Sequence, residues 1–173
     1  MAITQLNNRS INRSDTAASG QLWTATSATA SDFQAGAKVL QVINAVVNTE
    51  TINNTDTFAD TGLTASITPA STSNKVLVIA NVAGVGKANA TYVHLKLLRD
   101  STDLVADFET RGGYTASTAT NKIGGCSVTY LDSPSSTSSL AYKTQLKSGA
   151  DIAYAQTGDS NGKSSITLME IAG

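Results

Sequence analysis

Residues 74–86 read NKVLVIANVAGVG, and residues 91–100 read TYVHLKLLRD. The second segment alternates apolar and polar residues, which is the period-2 pattern of a strand with one buried face. The first segment is apolar at every position from 76 to 79, and therefore on both faces of the strand, which predicts a central strand. The first segment is rich in β-branched residues, which suit a pleated surface and disfavour a helix. These two segments therefore predict an all-β protein.

The rest of residues 38–173 repeats this pattern of short β runs. Alternating runs recur around Leu63, Leu104, Cys126 and Leu140, and clusters of Pro, Gly, Ser, Asn and Asp separate them. No segment keeps a helical period for more than about two turns. The pattern predicts an antiparallel β sandwich, and we favour a jelly roll of about eight strands. An immunoglobulin-like Greek key is the alternative, disfavoured because its Cys…Trp…Cys spacing is absent.

Residues 1–37 have a different composition. Their large apolar residues are sparse and are separated by small polar ones, without helical or sustained strand periodicity. We predict an extended N-terminal anchoring arm over residues 1–37, followed by a jelly-roll knob over residues 38–173; a disordered tail is the alternative for the arm. Bulky side chains in a polar arm are typical of anchors that fit a partner's grooves. The candidate partner-binding residues are Leu6, Arg9, Arg13, Leu22, Trp23 and Phe33.

The composition predicts a polar surface with few charges. Of 173 residues, 12 are Lys or Arg and 13 are Asp or Glu, whereas 24 are Thr and 20 are Ser. This balance excludes a strongly basic nucleic-acid binder and a membrane binder that acts through charge. No apolar run approaches the length of a transmembrane helix, and the first residues do not resemble a signal peptide. We therefore expect no nucleic-acid partner and no membrane insertion.

Residues that carry catalytic or metal chemistry are few. His94 and Cys126 are the single His and the single Cys, which excludes a His/Cys metal cluster and an internal disulfide. We expect His94 on the polar face of its strand and Cys126 as a buried, unreactive thiol. Three aspartates match no calcium-loop pattern and are expected in turns: Asp100, Asp103 and Asp107. We therefore expect no catalytic residue, no metal and no cofactor.

Two further features have both a functional and a structural interpretation. The glycines of Gly84-Val85-Gly86 resemble a phosphate loop, but no helical pattern follows them, so we predict a β-bulge or turn. A neutral surface of hydroxyl and amide groups suits hydrogen bonding to carbohydrate. Among the tyrosines, Tyr130 and Tyr142 are expected in the core, which leaves Tyr92 and Tyr114 as candidates for contact with a glycan.

Several phrases of the sequence resemble small virion proteins of tailed bacteriophages, especially aquatic ones. The N-terminal phrases are MAITQLNNRSINRSD and LWTATSATASDFQAGAKVLQV; the later ones are DTGLTASITPASTSNKVLVIANV, LKLLRDST and the closing SSITLMEIAG. The resemblance implies an eight-stranded jelly roll like the heads of tumour necrosis factor and C1q, assembled as a homotrimer. It also implies that the arm attaches the knob to capsid or tail proteins at the virion surface, after synthesis in the host cytoplasm.

Three functions follow from these observations. The first is a structural protein of the virion, namely a capsid decoration or head-fibre knob. Residues 1–37 contain no coiled-coil heptads, and this favours such a knob over a long tail fibre. The alternative is a receptor-binding short tail fibre or a carbohydrate-binding adhesin, with host surface glycans as partners. An enzyme, such as a small depolymerase, is disfavoured by the scarcity of acidic residues and the single His.

Overall fold

The structure is a computed structural model that describes residues 38–173, except 115, 117, 119 and 158–161, together with the backbone of residues 21–25 and 31–35. The chain divides into two compact units, Met1–Lys38 and Val39–Gly173.

The first unit contains a pair of short antiparallel strands, β1 (Gln21–Ala25) and β2 (Ser31–Ala35). Trp23 and Phe33 are register partners in this pair, and Leu22 pairs with the residue after Phe33. Three of the predicted anchors therefore belong to paired strands within the predicted arm. The other three, Leu6, Arg9 and Arg13, lie outside the described residues.

In the described part of the second unit, the regular secondary structure consists of strands joined by turns and loops. No helix there is long and apolar enough to cross a membrane. The strands are β3 (Val39–Val47), β4 (Thr51–Asn53), β5 (Ala59–Ile67), β6 (Lys75–Lys87), β7 (Val93–Arg99), β8 (Thr102–Gly112), β9 (Asn121–Asp132), β10 (Leu140–Ser148), β11 (Ala153–Ala155) and β12 (Ser164–Ile171).

The strands form two antiparallel sheets. Sheet I has the order β3-β12-β6-β9. Beyond the end of β12, the short strand β11 pairs with the last two residues of β6, and β4 pairs with β11. Sheet II has the order β5-β10-β7-β8. Most connections between the eight long strands cross from one sheet to the other, and β3 pairs with the last strand, which is the arrangement of an eight-stranded jelly roll. This confirms the predicted fold, whereas the immunoglobulin-like alternative is wrong because that sandwich pairs its first strand with its second.

The core lies between the inner faces of the two sheets. Alternate residues of β5, β7, β10 and β12 point inward, as the period-2 pattern predicts, and Val93, Leu95 and Leu97 are fully buried. Strand β8 departs from the predicted alternation, because its pairing with β7 shifts register and the adjacent Leu104 and Val105 both pack on the core. Strand β6 is central in sheet I, as predicted, but it is not covered on both faces. Ile79 on its outer face is 40% exposed, because no other part of the described chain packs on that side of sheet I.

The glycines of β6 produce a β-bulge, which confirms the structural interpretation of Gly84-Val85-Gly86. The register between β6 and β9 shifts between Val82 and Val85 and again between Val85 and Gly86. Gly84 has a φ of 57°, and a β-carbon at this position would lie 2.3 Å from the carbonyl oxygen of Thr157. Only glycine fits this close approach of two backbone segments.

Candidate functional site

The outer face of sheet I carries no charge over three neighbouring rows of residues. One row is wholly apolar and crosses all four strands, and two of its members, Val42 and Leu131, are 54% and 50% exposed. The next two rows contain Val46 and Ile79 among hydroxyl and amide side chains. The rows, in strand order, are Val42, Met169, Leu77 and Leu131; Asn44, Thr167, Ile79 and Thr129; and Val46, Ser165, Asn81 and Ser127. We call these twelve residues the neutral face.

The outer face of sheet II has the opposite character, because its charged side chains pair with one another. Such exposed pairs contribute little to stability, but they keep a surface well hydrated. The hydrogen bond from Lys147 and its positive charge lower the pKa of Asp56. The pairs and their N–O distances are Lys143–Asp60 (3.0 Å), Lys147–Asp56 (2.7 Å), Lys96–Asp103 (2.9 Å) and His94–Asp107 (2.8 Å).

His94 lies on the outer face of sheet II, which confirms its predicted surface position. Its Nδ1 contacts Oδ1 of Asp107, and its ring packs edge-on against Tyr92 at 4.9 Å between centroids. Asp100 lies in the turn before β8, as predicted, and accepts a hydrogen bond from the amide of Ala141. The turn prediction is wrong for Asp103 and Asp107, which lie within β8, where Asp103 pairs with Lys96 across the two strands. Among the described residues, no group of three or more His, Cys, Asp or Glu is arranged to hold a metal ion.

Cys126 is a buried thiol, as predicted. Its Sγ lies 3.6 Å from Oε2 of Glu109 and donates a hydrogen bond to it. Burial, together with the negative charge of Glu109, raises the pKa of Cys126 to about 12. The thiolate that acts as a nucleophile is therefore scarce at neutral pH.

The tyrosines divide as the sequence predicts. Tyr142 is fully buried and Tyr130 packs against the core, whereas Tyr92 and Tyr114 meet at the surface with ring centroids 6.3 Å apart. The residue that sequence reasoning missed is Arg111, whose guanidinium lies over both surface rings. Its spacing of three residues from Tyr114, across a Gly-Gly turn, is the signal that would have indicated the contact.

No family model matches the chain, and no curated protein matches it. Among solved structures, the VP2 subviral particle of infectious bursal disease virus is similar over 87% of this chain, with 9% sequence identity and a TM-score of 0.43. The chain covers 37% of that viral chain, so it spans little more than a third of its length. The jelly-roll assignment rests on the strand order described above.

Proposed function

We propose that the protein is a structural component of a bacteriophage virion, a homotrimeric surface knob that its N-terminal arm attaches to the capsid as a decoration or head-fibre protein. The resemblance of MAITQLNNRSINRSD and SSITLMEIAG to small virion proteins supports the virion role. The jelly-roll order of β3 to β12 agrees with the fold that this resemblance implies. The proposal assigns no catalysis to the protein.

The neutral face supports the proposal that copies of this chain associate with one another. Exposed apolar residues are concentrated there, in a row that runs from Val42 to Leu131 across the sheet, and the next two rows, towards Val46, hold only neutral polar and apolar side chains. Contiguous apolar surface with a polar border is typical of an interface, and charged residues are depleted at interface cores. Sheet II, whose ion pairs suit contact with water, would face outward. The occupant we propose is a further copy of this chain, arranged in a closed trimer.

The solution mass of the full chain tests this interface. We expect the wild type to have three times the 17.8 kDa of one chain in analytical ultracentrifugation. The double variant Val42→Glu with Leu131→Glu should be folded but monomeric, because burying two unpaired carboxylates at an interface is costly. The control is Thr64→Glu, which adds a charge to the exposed side of β5 and should stay trimeric. A monomeric wild type, or a trimeric double variant, would contradict the interface.

The arm, residues 1–37, is the part of the chain that we propose attaches the knob to the particle. Residues 1–37 hold few large apolar residues, and two of these, Trp23 and Phe33, are opposite one another in the β1–β2 pair. Deletion of residues 2–36 should leave a soluble, folded knob that no longer joins particles. Recovery of the truncated protein on purified virions at the normal copy number would show that the arm is not the anchor.

A receptor-binding short tail fibre or adhesin remains the second candidate, and the meeting of Tyr92 and Tyr114 at the surface favours it. Exposed aromatic rings are common where a protein binds another molecule. Imaging of virions that carry a labelled knob separates the candidates. Label distributed over the capsid supports decoration, and label confined to the tail supports the fibre.

A further inference from the structure

Tyr92, Arg111 and Tyr114 form a cluster at one end of sheet II. The guanidinium carbon of Arg111 lies 4.6 Å from the ring centroid of Tyr114 and 5.1 Å from that of Tyr92. The two rings are tilted by 52° with respect to each other, so both contribute to the surroundings of the cation. Tyr114 is 52% exposed, and Arg111 is exposed as well. The cluster is therefore open to a ligand.

Tyr92 is held in place before any ligand arrives. Its ring lies on Gly149, where a β-carbon would be 2.3 Å from Cζ of the tyrosine, so that only glycine leaves room for the ring. The loop that contains Gly149 is fixed by the buried Thr91, whose Oγ1 accepts hydrogen bonds from the amides of Gly149 (3.1 Å) and Ala150 (3.0 Å). A preformed site loses little conformational freedom when it binds.

Arg111 differs from the other cations of sheet II in its partners. Lys96, Lys143 and Lys147 each bind a carboxylate at 3.0 Å or less, whereas Arg111 has no carboxylate oxygen within 4.0 Å among the described residues. Its guanidinium contacts the two rings instead, and those contacts leave its N–H groups available. A guanidinium matches a carboxylate through two parallel hydrogen bonds. The available N–H groups of Arg111 therefore favour a ligand that carries a carboxylate.

The rings add a second requirement on the ligand. One face of a sugar ring presents C–H groups and can lie flat on an aromatic ring, while its hydroxyl groups bind polar atoms at the rim. The hydroxyls of Tyr92 and Tyr114 and the nearby pair of His94 and Asp107 supply such atoms. We propose that Tyr92, Arg111 and Tyr114 form a binding site for a uronic acid unit of an acidic polysaccharide. The site belongs to one chain and lies on sheet II, so it depends neither on the trimer nor on attachment to a virion.

Isothermal titration calorimetry of the full chain with short oligouronates tests the ligand class. The probes are oligomers of galacturonate, glucuronate and mannuronate, their methyl esters, and oligoglutamate of equal charge. We expect one of the acids to bind about tenfold or more tightly than its methyl ester, which keeps the sugar but loses the charge. Equal binding of acid and ester, equal binding of oligoglutamate, or binding of none of the acids would each overturn the proposal.

Variants of the exposed side chains test the location. Arg111→Gln and Tyr114→Ala should each weaken binding of the uronate about tenfold or more, and Arg111→Lys, which keeps the charge but lacks the fork, should restore only part of it. The control is Lys75→Gln, which removes one exposed positive charge far from the cluster. Lys75 is the first residue of β6, whereas the last residue of that strand, Lys87, lies beside Gly113 next to the cluster. An unchanged affinity in Arg111→Gln, or an equal loss in Lys75→Gln, would overturn the site; melting curves confirm that each variant is folded.

Discussion

Tyr142 on β10 donates a hydrogen bond of 2.7 Å from its hydroxyl to Oδ2 of Asp132 on β9, and this bond joins the two sheets. The same oxygen accepts a hydrogen bond of 2.6 Å from Nη1 of Arg99. Both Tyr142 and Asp132 are buried, so the carboxylate has lost its water and depends on these donors. Burial and the neighbouring carboxylate of Asp132 raise the pKa of Tyr142. The phenol therefore stays a donor across the physiological range.

The first prediction concerns this connection between the sheets. Asp132→Ala leaves the Arg99 guanidinium and the Tyr142 hydroxyl without their common acceptor, and we expect it to lower the free energy of unfolding by about 3 kcal/mol. Tyr142→Phe removes one donor while the ion pair persists, and should cost about 1 kcal/mol. Urea unfolding at a single protein concentration measures both. Equal losses in the two variants would contradict the central role of Asp132.

The second prediction concerns the buried carboxylate of Glu170, which is 1% exposed. Burial acts to raise its pKa, but hydrogen bonds from Asn74, Gln41 and the amide of Ala70 outweigh this, and the pKa lies below its ordinary value. Because the folded pKa is lower than the unfolded pKa, the carboxylate stabilises the fold above the unfolded pKa. That contribution is lost as the pH falls through the folded pKa.

Glu170→Gln should therefore flatten the acid side of the stability profile. We expect the wild type to lose more free energy of unfolding than Glu170→Gln as the pH falls from about 5 to about 3. Denaturant unfolding at several pH values measures the difference. Glu50→Gln, at an exposed residue, is the control for the loss of one carboxyl group. Parallel profiles for the wild type and Glu170→Gln would show that Glu170 does not contribute in this way.

The third prediction concerns the bulge in β6. Gly84→Ala forces a β-carbon against the backbone of Thr157 at a φ of 57°, and we expect a loss of about 3 kcal/mol or more in unfolding free energy. Gly124→Ala is the matched control: its φ is also positive, 102°, but nothing lies within 4 Å of the added carbon. It should cost only about 1–2 kcal/mol of backbone strain. Thermal melting ranks the two, and a milder effect of Gly84→Ala would refute the steric argument.

The fourth prediction concerns the reactivity of Cys126. With a pKa of about 12, only about one thiol in ten thousand is ionised at pH 8. Alkylation by iodoacetamide in the native state should be roughly a thousandfold slower than that of free cysteine, and denaturant should restore the ordinary rate. Glu109→Gln removes the neighbouring negative charge and should raise the native rate. Native labelling within about tenfold of free cysteine would contradict burial of the thiol.

The sequence predicted the inner faces of the long strands because alternation is a local property. A residue such as Leu95 or Leu97 reaches the core through its position in its own strand, and the period of two is visible without knowing the partner strand. The short strands β4 and β11 were harder to predict, because three residues are too few to show an alternating pattern. The alternating run around Leu63 belongs to β5, which already begins at Ala59.

The candidate sites were predicted only in part. The sequence left Tyr92 and Tyr114 as the available surface tyrosines, because Tyr130 and Tyr142 share the core-facing positions of their strands with apolar residues. The sequence did not show that the two tyrosines meet or that Arg111 contacts both rings. They are 22 positions apart, and their contact depends on how β7 and β8 pair. The sequence placed Val76–Ile79 in a central strand, but it did not show that Leu77 and Ile79 lie on the outer face of sheet I, because a two-sided apolar pattern does not reveal what covers each side.

The sequence by itself determined the all-β class, the sandwich, the buried positions of the long strands and the bulge at Gly84, because each depends on local patterns or on backbone freedom. Only the tertiary structure decided which strands are neighbours. Pairing of β3 with β12, more than 110 residues apart, places Val42 beside Met169 in the apolar row, and pairing of β7 with β8 brings Arg111 to Tyr92. Hydrogen bonds between backbones are the same for every residue type. The choice of partner is therefore made by the fit of all strands around one core.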